Sequence, residues 1–240
     1  MTTHLTRTAT ALLAAVTMLS VFAGAALAAV GGLADEDFSF AERGLTAQAY
    51  WESCSEPDAS GLVQCESTQL YVFDGRQRSN DVLGHVNAAL TYLCVYHQHV
   101  AIGEDGYPVG PALIEQGCSD DPQLTVVDTL ENVTAVAPSL ELRQASCTND
   151  PETGEQWCVE GGTRSVAVEA AFTGVGDVVA QRSTSKGRSL LDGLRCTYSS
   201  SNVGVSREAS ASMAFDGTAL GDATYAQLSD GKARFAQHCS

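Results

Sequence analysis

Two histidines, His97 and His99, stand two residues apart in the run Val95-Tyr-His-Gln-His-Val100. On a strand, side chains two apart share a face, so with one carboxylate beside them the two imidazoles could hold zinc or copper. No third ligand accompanies them in sequence. The pair therefore reads first as solvent-facing strand residues; no metal is assigned, and His97 and His99 remain the weak candidates. Acidic residues gather at turn-like segments: Glu56 with Asp58, Glu104 with Asp105, Asp120 with Asp121, then Asp150, Glu152 and Glu155. Oxygen-rich turns can take calcium, but none has the spaced ligands and distant bidentate glutamate of a calcium loop. Ordinary solvated turns account for them. No cofactor is expected, with calcium the one to titrate.

Nucleophilic chemistry needs an activated group with a base. The chain has no Gly-x-Ser-x-Gly elbow, no His-Glu-x-x-His helix and no phosphate-cradling glycine loop. All 8 cysteines have a plausible disulfide partner, which removes a thiol nucleophile. No catalytic residue is assigned, and the sequence points away from an enzyme. The segment Arg182-Ser-Thr-Ser-Lys-Gly-Arg188 reads as an exposed basic loop, open to an anionic ligand or a protease.

The elements that position these groups are marked by cysteine. Cys54 and Cys65 enclose ten residues, and Cys147 and Cys158 enclose ten more, with Ser60-Gly61 and Thr153-Gly154 at matching offsets. In Asp150-Pro-Glu-Thr-Gly154-Glu155, proline suits the first right-handed turn position and glycine the left-handed one that closes a four-residue hairpin loop. Counting outward from Asp150 and Glu155 puts Cys147 opposite Cys158, at a non-hydrogen-bonded pair where α-carbons lie about 4.5 Å apart, within disulfide range. The same count from Pro57 and Leu62 puts Cys54 opposite Cys65. A third hairpin centred on Gly106 pairs Cys94 with Cys118, and Cys196–Cys239 follows by elimination. A competing register spaces Cys54, Cys147 and Cys239 by 93 and 92 residues. Either register implies duplication.

Two-residue alternation dominates the rest. Val86-Ala88-Leu90-Tyr92-Cys94-Tyr96, Val166-Val168-Ala170-Phe172 and Ala209-Ala211-Met213-Phe215 each interleave with polar residues, as in half-buried strands. This places Tyr92 and Tyr96 on a core face, and it sends the neighbours Tyr50 and Trp51 to opposite sides. Only Asp222 to Leu228 suggests a short helical turn. The expected class is all-β: two tandem, disulfide-stapled antiparallel β-sandwich or barrel-like domains, residues 45–137 and 138–240, from an internal duplication. Residues 29–44 read as a flexible acidic arm.

Residues 1–28 read as a secretory signal peptide, with Arg7, an apolar run and the Ala26-Leu-Ala28 cleavage pattern. Without them 12 basic and 29 acidic residues remain, a net charge of −17. That balance disfavours nucleic acid, and no later apolar run spans a membrane. Paired cysteines suit an oxidising exterior. The leading expectation is a secreted or cell-surface non-catalytic binding or structural protein, its partner an extracellular protein or polysaccharide. The alternative is a secreted protease inhibitor, and a hydrolase with a dispersed site is the third.

Overall fold

The computed structural model describes residues 38–81, 84–149, 156–191 and 194–239. The signal-peptide segment and the acidic turn residues 150–155 lie outside them. The described chain is all-β, and its strands belong to one large antiparallel sheet. In chain order they are β1 (Phe38–Cys54), β2 (Val63–Asp81), β3 (Gly84–Ile102), β4 (Ala112–Ser119), β5 (Gln123–Asp128), β6 (Asn132–Asn149), β7 (Gln156–Leu191), β8 (Leu194–Phe215), β9 (Thr218–Asp222) and β10 (Tyr225–Cys239). Neighbours pair in the order β10-β1-β2-β3-β4-β6-β7-β8, and β8 pairs with β10, so the path closes on itself. Strand β5 adds to β6 and β9 to β8.

The ring is held by alternation. In β1, Leu45, Ala47, Ala49 and Trp51 point inward while Thr46, Gln48 and Tyr50 point out, which is the two-residue period of a strand with one buried face. Leu70 and Val72 of β2, Leu93 and Val95 of β3, Leu140 and Leu142 of β6, Val166 to Phe172 of β7, Met213 of β8 and Leu228 of β10 fill the same interior. Each large side chain removed from water here stabilises by about 1.5–3 kcal/mol. Trp51 is 3% exposed, and its Nε1 donates to the Gly221 carbonyl, 3.2 Å away.

Four disulfides cross adjacent strands: Cys54–Cys65, Cys94–Cys118, Cys147–Cys158 and Cys196–Cys239, with α-carbons 4.0–4.1 Å apart. Each cysteine lies directly opposite its partner. In the first hairpin Ser55 N donates to Gln64 O at 2.8 Å, so the cysteines beyond that pair occupy a non-hydrogen-bonded position. Gly61 takes the left-handed conformation, φ 78°, at the end of that turn.

Several local expectations are corrected. On β3 it is Leu93, Val95 and His97 that face the interior, so Tyr92 and Tyr96 lie on the outer face. There Tyr92 stacks with Tyr71 and Phe73, ring centroids 5.9 and 5.2 Å apart. The apolar stripe ending in Tyr92 and Tyr96 misled because the neighbouring strand supplies a second, outer aromatic cluster. Asp222 to Leu228 holds the end of β9 and the start of β10 rather than a helical turn. Arg182–Arg188 is part of β7, paired with Thr197 to Val203 of β8, not a loop. Phe38 to Gly44 is strand, hydrogen-bonded between β10 and β2.

The strands outrun the ring. Below a row of four glycines, Gly75, Gly44, Gly231 and Gly204, which sit opposite one another on β2, β1, β10 and β8, six strands continue as an open sheet ordered β3-β2-β1-β10-β8-β7. The row is a crease. A β-carbon on Gly44 would lie 2.2 Å from the Asp74 carbonyl oxygen, and one on Gly204 would lie 2.5 Å from that of Asp230. Only glycine lets the backbones approach this closely.

Candidate functional sites

At the mouth of the ring opposite the crease, polar side chains gather on the inner wall. His97 and His99 leave β3 on the interior face, and Glu66 and Thr68 of β2 lie directly opposite His99 and His97. His97 is 2% exposed, contrary to a solvent-facing strand residue, while the His99 side chain is 45% exposed. The ring Nε2 atoms are 2.8 Å apart, and Glu66 Oε1 lies 3.2 Å from His97 Nε2 and 3.5 Å from His99 Nε2. Nδ1 of His97 is hydrogen-bonded to Thr68 Oγ1 at 2.8 Å. Burial, reinforced by His99 and opposed by Glu66, pushes the His97 imidazole below its ordinary value, which favours the neutral ring. The sequence supplied the histidines; their carboxylate sits 31 residues earlier and is visible only through strand register.

Beside them Glu115 of β4, directly opposite His97, is held in a fork by Arg164 of β7: Nε to Oε1 at 2.8 Å and Nη2 to Oε2 at 2.6 Å. Gln144 Nε2 adds a bond to Oε1 at 2.6 Å. The guanidinium hydrogen bonds hold the Glu115 carboxyl well below its usual range, down to about 2. Arg164 also reaches Asp216 Oδ2 at 3.3 Å and stacks 5.5 Å from the centre of the Phe215 ring, which in turn lies 4.9 Å from the His97 ring. Sequence reasoning missed Glu115 and Arg164, since neither carries a motif.

The second concentration of chemistry is on the open sheet. Arg76, Arg43 and Lys232 are directly opposite one another on three adjacent strands, and Val203 then Arg182 continue the row. Two residues further, Arg78 and Arg234 flank Ala41 on the same face. Lys186, Arg188 and Arg195 share it by strand alternation. All nine are exposed, and among the described residues none forms an ion pair. Among the described residues no Asp or Glu stands on this face below the glycine row; Asp74 and Asp230 mark its upper border. Aromatic residues take the other face, where Phe38 and Phe235 meet at 6.0 Å between ring centroids.

The acidic turn at Asp58 holds itself. Asp58 Oδ1 accepts from the Ser60 amide and hydroxyl and the Leu62 amide at 2.6–3.0 Å, which lowers its pKa. Comparison with protein-family profiles, with curated proteins and with solved structures finds no match to this chain.

Proposed function

We propose that the protein is a secreted or cell-surface, non-catalytic binding module whose open basic sheet face holds an anionic polysaccharide. The segregation of charge carries this reading. A chain with 29 acidic residues against 13 basic ones places nine of those cations on one sheet face, with no acid among them in the described residues. Arg43 lies directly opposite Arg76 on one side and Lys232 on the other. Like charges so placed destabilise a sheet, by about 0.2–1 kcal/mol a pair, so folding alone gives no reason for the row. Strands about 4.8 Å apart space Arg76, Arg43 and Lys232 evenly across three neighbours, a ladder matched to a polymer with repeated negative charge.

The chemistry around the ladder favours a glycan. Ser39, Ser199, Ser201, Thr184 and Thr197 share the face, offering hydroxyls for sugar and carboxylate oxygens. The aromatic platforms on which single-stranded nucleic acid stacks are on the opposite side. A membrane-surface binder would present large apolar groups among its cations, whereas here Val203 is the main one. Four disulfides are consistent with an extracellular location.

The duplication is part of this proposal. Residues 45–137 and 138–240 divide the ring between them, β1 to β4 coming from the first and most of β6, with β7, β8 and β10, from the second. In each set a disulfide joins the first strand to the second and another joins the third to the fourth, which supports descent from one repeated unit. The binding reading is tested by titrating the mature oxidised protein with labelled dextran sulfate, unmodified dextran and duplex DNA at several salt concentrations. Salt-sensitive binding to the sulfated glycan alone is expected. Equal binding to neutral dextran, preference for DNA, or no binding to any of them would overturn it.

A further inference from the structure

We infer that Glu66, His97 and His99 form a binding site for a divalent transition-metal ion, with zinc as the reference ion, at the mouth of the ring. Three observations carry it, none of them involving the basic face.

The first is convergence. Two imidazole Nε2 atoms and one carboxylate oxygen aim at a common point from two adjacent strands, all three within 3.5 Å of one another. An ion bound by nitrogen and oxygen at about 2.0–2.2 Å in a tetrahedron separates its ligands by roughly 3.3–3.5 Å. The two distances to Glu66 Oε1, 3.2 and 3.5 Å, are already of that size. The two nitrogens, at 2.8 Å, need to part by about half an ångström. Rotation of the half-exposed His99 ring supplies that movement.

The second is support. Thr68 Oγ1 engages Nδ1 of the buried His97, leaving Nε2 to face the site, the arrangement that orients metal-bound imidazoles. The Phe215 ring packs 4.9 Å away and fixes the plane further. The third is selectivity among carboxylates. Glu115 stands nearby, but Arg164 and Gln144 occupy both its oxygens, so Glu66 is the acid free to coordinate. Three protein ligands with Glu66 and His99 each 45% exposed leave at least one coordination position open to water or an incoming ligand.

The test uses the mature oxidised protein with cobalt(II) as the probe, read by its visible absorption, and zinc as competitor. One equivalent should bind saturably and be displaced by one equivalent of zinc. His99→Ala and Glu66→Gln, both at half-exposed positions, should weaken binding by more than roughly 100-fold, and Thr68→Val by roughly tenfold. His85→Ala and His238→Ala should leave it unchanged. Thermal unfolding of each variant checks that the fold is intact, and an unfolded His99→Ala passes its test to Glu66→Gln. No saturable cobalt binding, binding that survives in the folded His99→Ala or Glu66→Gln protein, or loss in His85→Ala would overturn the site.

Discussion

Glu115 shows how one buried side chain can make stability depend on pH. Its side chain is 3% exposed, and its fork with Arg164 replaces the water it gave up. Because folding lowers its pKa to about 2 from an ordinary 4.5, the ionised form stabilises the fold above about pH 4.5, and that contribution disappears as pH falls toward 2. Glu115→Gln should therefore cost about 2–3 kcal/mol at neutral pH, measured by denaturant unfolding with a chelator present. The difference between variant and parent should shrink steadily below pH 4.5. A difference constant down to pH 2 would show that packing, not charge, is what Glu115 supplies. Histidine behaves differently at this mouth: His97 lies inside because its strand neighbours Leu93 and Val95 do, and a residue two along must follow them.

At the scale of elements, the crease and the hairpins divide the work of shaping the sheet. Gly44 has no room for a β-carbon against the Asp74 carbonyl, whereas Gly162 has nothing nearer than the Gln144 side chain at 3.8 Å. Gly44→Ala should cost about 1–3 kcal/mol, and Gly162→Ala less than about 0.5 kcal/mol, by chemical denaturation. Equal effects would mean the crease is not under steric control. Replacing Cys54 and Cys65 together by serine should lower stability by roughly 2–3 kcal/mol while the remaining hairpins hold the ring. The hairpins were legible in sequence because turn chemistry and cysteine spacing are local signals, as at Gly61. The inward stripes of β7 and β8 were legible for the same reason, since Val166 to Phe172 and Ala211 to Phe215 alternate cleanly. The face of β3 was not, because Leu90, Tyr92, Leu93 and Val95 are apolar on both sides, and the second aromatic cluster that accounts for this comes from β2. The glycine row and the third ligand of the histidine pair depend on the pairing of distant strands, which no single segment encodes.

For the whole molecule, the central feature is polarity from end to end: a ring with an apolar interior, a histidine and carboxylate mouth, and an open basic sheet beyond the crease. The net charge of −16 hides this, since the acids among the described residues lie elsewhere and nine of the cations share one face. A face arranged for binding at the expense of stability makes two opposite demands on the same residue. Arg43→Gln removes the central cation of the ladder, flanked by Arg76 and Lys232. The most direct measurement is therefore the affinity of this variant for dextran sulfate at low salt beside its free energy of unfolding. A face built for binding requires weaker binding in this variant, by several-fold, together with stability unchanged or raised by about 0.2–1 kcal/mol as like-charge repulsion is relieved. Undiminished binding, or a loss of stability with no change in affinity, would contradict it.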